Sequence, residues 1–465
     1  MTSSAVRPNE RWRNARVAVV GLARSGVAAC LFLKERGALV TGVDRRTAGE
    51  LGDTLAPLRS AGIDASLGAY PDLLEFDALV LSPGVDPAQE VIADARAKGV
   101  SILPELELGA LEVTGRIVCI TGTKGKSTTT VSLHAMLRSA GLDARAVGNI
   151  GEPITAHLRD SDEHTIFVAE ASSFQLETTQ AFHPDCAVLL NLFPDHLDRH
   201  PSFEAYAEAK ARVFVNQTEN DTAVINGEDA VVRSLAARTK ASVIPFRPQT
   251  PMDAETLGRA AGFENGDAIF LDASRRLLFR DADIQIPGAA VKANLLAAAT
   301  VAHHLGVPSA SIREAVRHFR GVRHTFERLG EVNGVAYFND SKATTLESVQ
   351  VALQSFETPV IAILGGRLKA GSFRSLREAV AAHARSIYAI GESRALILEA
   401  LGDVCAVHEA PSLDEAVVMA HKEASPGDSV LLSPGCSSFD MFRDYAERGD
   451  VFRRAFLDLS LKGAA

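Results

Sequence analysis

The sequence predicts an α/β protein of three domains, each built on a largely parallel sheet. Three observations carry this. Short apolar runs rich in Val, Ile and Leu alternate with longer amphipathic stretches: ARVAVVG, DALVLSPG, GRIVCITG, TIFVAEAS, CAVLLNLF, TAVING, GVAYFND, PVIAILGG and SVLLSPG. Such runs, leading into loop-forming residues, are the pattern of buried parallel strands feeding loops and helices. The strand-loop-helix pattern restarts near Val17, at Arg116-Ile117-Val118 and near Gly334-Val335. A chain of 465 residues holds about three domains at roughly 100–200 residues each. Boundaries are expected near residues 112 and 321, giving domains over 1–112, 113–321 and 322–465.

The first element, VAVVGLARSGVAACLFLKERGALVTGVD, is a Rossmann-like βαβ unit. Its turn reads Gly21-Leu22-Ala23-Arg24-Ser25-Gly26, so Ala23 stands where a dinucleotide fingerprint has its middle glycine. That weakens an NAD oxidoreductase reading. Asp44 ends the second strand, where a ribose or base contact falls. A plain turn with solvated Arg45 and Arg46 is the alternative.

The strongest signal opens the second domain. IVCITGTKGKSTTT places an apolar strand before Gly122-Thr123-Lys124-Gly125-Lys126-Ser127, and SLHAMLRSAG continues as a helix. Glycines turn the backbone tightly, and its amides with the helix N-terminus cradle phosphate oxygens. Lys126 can reach the β- and γ-phosphates, and the Ser127 hydroxyl can ligate Mg²⁺. This is a P-loop ATPase-type domain. The loop is one residue shorter than the common GxxxxGKS form.

Later elements bring polar groups to strand ends. Glu170 closes TIFVAE, and His196 sits in a Pro-Asp-His-Leu-Asp turn. A carboxylate and a serine hydroxyl suit hard Mg²⁺, and an imidazole can join them. Asn149, Ser172, Ser173 and Gln175 follow strand ends as uncharged donors and acceptors, with turn or N-cap chemistry the alternative. Lys210, in FEAYAEAKARVFV, reads alone as a solvated helix lysine. In the third domain GVAYFNDSKATTLESV is strand, loop and helix, and Thr344-x-x-Glu347 fits a capping box.

Five segments in order, TGTKGKST, GNIGEP (148–153), EASSFQLE (170–177), NLFPDHLDRH (191–200) and NDSKATT (339–345), resemble the Mur ligases over essentially the whole chain. SSFQLE with DHLDRH points to the branch that adds D-glutamate to UDP-N-acetylmuramoyl-L-alanine. The resemblance implies ATP-dependent amide ligation through an acyl phosphate in peptidoglycan precursor synthesis, with ATP and Mg²⁺ as cofactors. It also implies a Rossmann-like C-terminal domain. The alternative is the same chemistry with L-glutamate or another Mur-family amino acid such as lysine or diaminopimelate.

By the same resemblance Lys126, Glu170, His196 and Lys210 are catalytic, and Ser127, Glu170, His196 and a carbamylated Lys210 hold Mg²⁺. ATP falls to Gly122, Thr123, Lys124, Gly125, Lys126, Ser127, Thr128, Asn294, Asp340 and Lys342. UDP falls to Leu22, Arg24, Asp44, Arg45 and Gly84. The muramoyl-peptide falls to Asn149, Ser172, Gln175 and His196, and glutamate to Thr344, Lys369, Ser438 and Tyr445. Four places depart from the family pattern. Lys124 replaces the usual loop asparagine, and Ala290-Val291 stand where His-Asn is common. GGRLKAGSF is a loose form of GGxDKGxDF. Thr325 replaces an arginine that helps hold ATP phosphate, for which Lys124, Arg323 or Arg328 would compensate.

Bulk properties narrow the rivals. A net charge of −10 with no long basic run disfavours nucleic acid. The segment MTSSAVRPNERWRN has no apolar core of a signal peptide, and no stretch of 18 apolar residues occurs. Five scattered cysteines fit a reducing cytoplasm. A cytoplasmic monomer acting on small molecules, away from membranes, is expected. A nucleotide-dependent switch without ligation is disfavoured by Glu170, His196 and Lys210 as a set.

Overall fold

The computed structural model describes residues 11–250 and 258–463. The chain forms three sheets in two compact units; one unit runs to Asp281 and takes in Ala293–Ala315, the other holds Ala282–Lys292 and continues from Val316. The α/β architecture expected from the apolar runs is what the chain adopts: every one of the nine runs contains a strand.

In the first unit, β1 (Arg16–Val20), β2 (Leu39–Asp44), β3 (Asp64–Leu67), β4 (Ala78–Leu81) and β5 (Ser101–Pro104) pair in the order β3-β2-β1-β4-β5, all parallel. Strand order reverses between β1 and β4, so a crevice opens at their carboxyl ends. The second sheet has β6 (Arg116–Thr121), β7 (Ala144–Gly148), β8 (Ile166–Glu170), β9 (Cys186–Leu189), β10 (Thr222–Asn226), β11 (Ser242–Arg247), β12 (Ala260–Glu264), β13 (Asp267–Leu271) and β14 (Arg275–Arg280). Its order is β14-β13-β12-β11-β10-β9-β6-β8-β7. β6 lies between β9 and β8, and its neighbours' carboxyl ends converge on the residues that follow Thr121.

The helix Glu105–Ala110 follows the first sheet and carries two buried carboxylates toward the second. Glu105 accepts from Thr155 N at 2.9 Å and Thr155 Oγ1 at 2.7 Å. Glu107 accepts from the Gln180 and Ala181 amides. Burial pushes the Glu105 carboxyl up to about 7, against the pull of the Thr155 bonds.

The second unit has β15 (Glu327–Val332), β16 (Val335–Asn339), β17 (Val360–Gly365), β18 (Ala384–Ile390), β19 (Ala406–Glu409) and β20 (Ser429–Leu432) in the order β15-β16-β20-β17-β18-β19. This sheet starts earlier than the expected restart near Gly334: β15 precedes it and pairs antiparallel to β16 through an Asn333-Gly334 turn. A second Asn-Gly turn, Asn265-Gly266, joins β12 to β13. Both residues of each turn have positive φ, as two-residue hairpins require. The adjacent strands β16, β20 and β17 are parallel, and the loops after them leave one edge together.

Candidate functional site

The phosphate loop is shaped by glycine and locked by an asparagine. Gly122 (φ +151°) and Gly125 (φ +87°) sit where side chains rarely go. A Cβ on Gly125 would lie 2.2 Å from Asn294 Oδ1, so glycine there lets Asn294 pack on the loop. Gly125 precedes the helix Lys126–Ser139, whose first turn carries no side-chain cap, leaving amides suited to an anion. Asn191, past the end of β9, takes Lys124 N at 2.9 Å on its side-chain oxygen and gives its amide to Lys124 O at 3.0 Å. Its carbonyl accepts Thr123 N at 3.0 Å. Thr123 is buried, its hydroxyl accepting from Phe193 N and Tyr206 OH, each at 3.0 Å. Lys126 Nζ folds back to Gly122 O at 2.9 Å and Thr123 O at 3.0 Å. Thr128 is half-buried in the helix, and Lys124 is exposed.

Beside this loop Ser127 Oγ donates to Glu170 Oε2 at 2.7 Å. Glu170 is 2% exposed, and its other oxygen accepts from Asn149 Nδ2 at 2.7 Å. Lys210 is not a solvated lysine: it is 2% exposed on the inner face of the helix Phe203–Ala211. Its Nζ lies 4.8 Å from the Tyr206 ring centroid and 3.5 Å from Thr121 Oγ1. Burial, then the nearby Lys126 charge, pushes the Lys210 amine down to about 7. His196 has φ +54°, and its ring lies 5.0 Å from that of Phe174.

Of the two serines, Ser172 takes the N-cap role. It forms a capping box with Gln175, Gln175 N donating to Ser172 Oγ at 3.2 Å and Ser172 N to Gln175 Oε1 at 3.0 Å. Ser173 Oγ is held by His200 Nε2 at 3.0 Å.

A cavity of about 500 Å³ opens at the carboxyl ends of β1, β2 and β4. Arg24, Asp44, Arg45, Gly84 and Asn149 line it, so the nucleotide candidates and one peptide candidate share a cavity. Leu22 does not: its side chain is fully buried, and its amide donates to Asp44 Oδ2 at 2.7 Å. The strand-to-helix turn points this apolar side chain under the sheet. Arg46, though exposed, grips Asp44 through Nε at 3.0 Å and Nη2 at 2.8 Å. Against burial, which raises it, these bonds hold the Asp44 carboxyl down at about 2. Ser25 and Tyr70 also line the cavity and went unnoticed in the sequence; Ser25's place in the helix-opening turn was the available signal.

Family models match along the chain: a Mur ligase MurD-like N-terminal domain over residues 15–104, a Mur ligase middle domain over 120–302, and a Mur ligase glutamate ligase domain over 324–436. A protein of Acidobacterium capsulatum named UDP-N-acetylmuramoylalanine--D-glutamate ligase is 40% identical over 456 residues, 97% of each chain. The chain belongs to the Mur ligase family. A like-named protein of Geotalea daltonii is 38% identical over 442 residues, 95% of this chain and 96% of its own. The solved structure of the UDP-N-acetylmuramate-alanine ligase MurC from Thermotoga maritima aligns with TM-score 0.57 at 18% identity, covering 96% of this chain and 99% of that one, and shares the fold.

In this Mur ligase the remaining candidates lie in the second unit. Asp340, after β16, is buried; it accepts from Phe326 N at 3.0 Å and Ser433 Oγ at 3.1 Å, and burial pushes it up to about 7. Lys342 is exposed. The cap expected at Thr344 belongs to Thr345, whose hydroxyl accepts from Ser348 N at 3.4 Å. The helix starts one residue later than the Thr344-x-x-Glu347 spacing suggests, so Thr344 is left half-buried with no capping duty. Lys369 is exposed on the loop after β17; Ser438 is buried and Tyr445 39% exposed beyond β20. Paired amides of Arg367 and Ser437, each bond 3.0 Å, tie these last two loops together. The Thr325 hydroxyl is buried and finds no hydrogen-bond partner among the described residues. Arg323 pairs with Asp450 at 2.7 Å and Arg328 with Glu331 at 3.3 Å, so two of the three candidate substitutes for the missing arginine are engaged in ion pairs, and the third, exposed Lys124, lies 3.7 Å from Asp195.

Among the described residues no three His, Cys, Asp or Glu side chains form a metal cage. Magnesium needs none: it takes one or two protein oxygens and completes its shell with phosphates and water. The Ser127–Glu170 pair beside the phosphate loop fits that donor set. Among the same residues no helix is long and apolar enough to cross a membrane.

Proposed function

We infer that this chain joins D-glutamate to UDP-N-acetylmuramoyl-L-alanine at the expense of ATP, in peptidoglycan precursor synthesis. The observation that carries it is the Ser127–Glu170 contact at 2.7 Å beside a glycine-shaped phosphate loop, in a chain resembling D-glutamate ligases over its whole length. An oxygen of the alanyl carboxylate attacks the γ-phosphorus, the bond to the β-phosphate oxygen breaks, and ADP leaves. The glutamate amine then attacks the acyl carbon; the tetrahedral adduct expels phosphate and the nitrogen loses a proton. Two anions meet in the first step, so positive charge must be gathered there.

Lys126 and the loop amides supply part of that charge. Ser127 and Glu170 would hold Mg²⁺, with His196 and a carbamylated Lys210 as further ligands. Bound there, the metal ion would offset phosphate charge. The depressed Lys210 amine, neutral in large part at neutral pH, is what CO₂ addition requires. Asn149 lines the nucleotide cavity and also binds Glu170, which supports a substrate path from UDP to the phosphate loop. Arg24, Asp44, Arg45 and Gly84 take UDP; Asn294 is an ATP contact, as are Asp340 and Lys342. Thr344, Lys369, Ser438 and Tyr445 take glutamate. We place the enzyme in the cytoplasm as a monomer, with domain boundaries near 112 and 321.

Incubation with UDP-N-acetylmuramoyl-L-alanine, ATP and either glutamate isomer tests the reading. Phosphate release is expected with D-glutamate alone. Release with L-glutamate or a diamino acid instead would overturn the choice of substrate, and release with no amino acid at all would overturn ligation.

A further inference from the structure

The second unit buries a cation that no motif announced. Arg448, in the helix Tyr445–Gly463, is 1% exposed, and among the described residues no carboxylate pairs with it. Its guanidinium instead grips loop backbone. Nε donates to Ser341 Oγ at 3.0 Å, Nη2 to Ser341 O at 2.8 Å and Nη1 to Cys436 O at 3.1 Å. A Cβ built on Gly366 would lie 3.3 Å from Nη1, so a third loop rests against the same group. Ser341 Oγ passes the contact on, donating to Tyr445 O at 2.7 Å. These are the loops after β16, β20 and β17, which carry Thr344, Ser438 and Lys369.

Asp440 attracts this charge from a distance but forms no ion pair with it, so burying it still costs desolvation energy, and its field reaches far in a medium of low dielectric. An anion at the loop tips offsets that cost. The planar fork also spans two loops at fixed separation, which an ammonium on a flexible stem does not reproduce. Burial lowers the guanidinium to about 10, so it stays charged at neutral pH.

We propose that Arg448 is a positioning residue for the amino-acid pocket: its guanidinium fixes the spacing of the three loops and turns a positive field toward the carboxylates of the incoming amino acid. This rests on the reading that those loops take glutamate. Steady-state kinetics on the full chain test it. Arg448→Lys is expected to raise the KM for D-glutamate about tenfold or more, with the KM for the UDP-muramoyl substrate within about twofold. Ser341→Ala, a milder change, is expected to raise the glutamate KM about threefold, and guanidinium ion is expected to restore it in Arg448→Ala. An unchanged glutamate KM in Ser341→Ala, or a rise of both KM values together, overturns the proposal, and Ser341→Ala decides alone if the Arg448 variants do not fold. Lys369→Ala and Thr344→Ala separate the two failures. If they too leave the glutamate KM unchanged, the loops do not take glutamate; if they raise it while Ser341→Ala does not, only the role of Arg448 falls.

Discussion

Replacing Lys210 by methionine isolates what burial does to that amine. In the folded chain the amine sits at about 7, against an ordinary value of 10.5. At 1.36 kcal/mol per unit, holding the charged form inside costs about 5 kcal/mol. Lys210 is almost wholly buried, so solvent screening takes little from this figure. Between the two values the unfolded chain binds one proton more than the folded one. Stability therefore rises with pH across that window, and below about 7 the full penalty applies. Integrated from about pH 6.5 to about pH 9.5, the group adds roughly 3 kcal/mol to the wild type and nothing to Lys210→Met. Denaturant unfolding in CO₂-free buffer measures this. Trp12, the chain's one tryptophan, reports it from the same hydrophobic cluster as Tyr206. Subtracting the two profiles cancels every other titrating group. Parallel profiles would refute the reasoning, because they would mean that Lys210 keeps its charge inside the fold at no cost.

Glu105 titrates in the opposite sense. Its folded value of about 7 lies above the ordinary 4.5, so stability falls by about 3 kcal/mol as pH rises between them, and Glu105→Gln is expected to flatten that fall in the same unfolding assay. Thr345→Ala is expected to cost about 1 kcal/mol by losing a helix cap while leaving the glutamate KM unchanged, whereas Thr344→Ala raises that KM with little effect on melting. Asn191→Ala removes both side-chain bonds to Lys124 and is expected to raise the KM for ATP roughly tenfold, read by ADP formation at saturating co-substrates.

Much of the scaffold is legible because a strand buried on both faces must be apolar along its length, as in Val360–Gly365, where all six residues are buried. β15 escapes that rule. ERLGEV is half charged and lies at the sheet edge, and only the following Asn-Gly marks it as a hairpin arm. The phosphate loop is legible because its chemistry is local: glycine, lysine and serine act within six residues. Lys210 is not. AEAKA has the composition of a solvated helix, and only packing against Thr121, far away in the chain, and against the Tyr206 ring one turn back buries the amine. The roles of Asn191 and Arg448 are hidden for the same reason, since each acts through backbone partners distant in the chain that a pattern search does not connect. The adjacent threonines 344 and 345 show the limit of local rules: the box spacing favours Thr344 as cap, but the helix starts one residue later and Thr345 takes the role.

The central claim is that the alanyl carboxylate is phosphorylated before the amine attacks. Substrate labelled with ¹⁸O in that carboxylate tests it most directly, with the released phosphate read by ³¹P NMR. The account expects one ¹⁸O atom in each phosphate, carried over when the acyl bond breaks. Phosphate free of the label, formed while the amide accumulates, would contradict it.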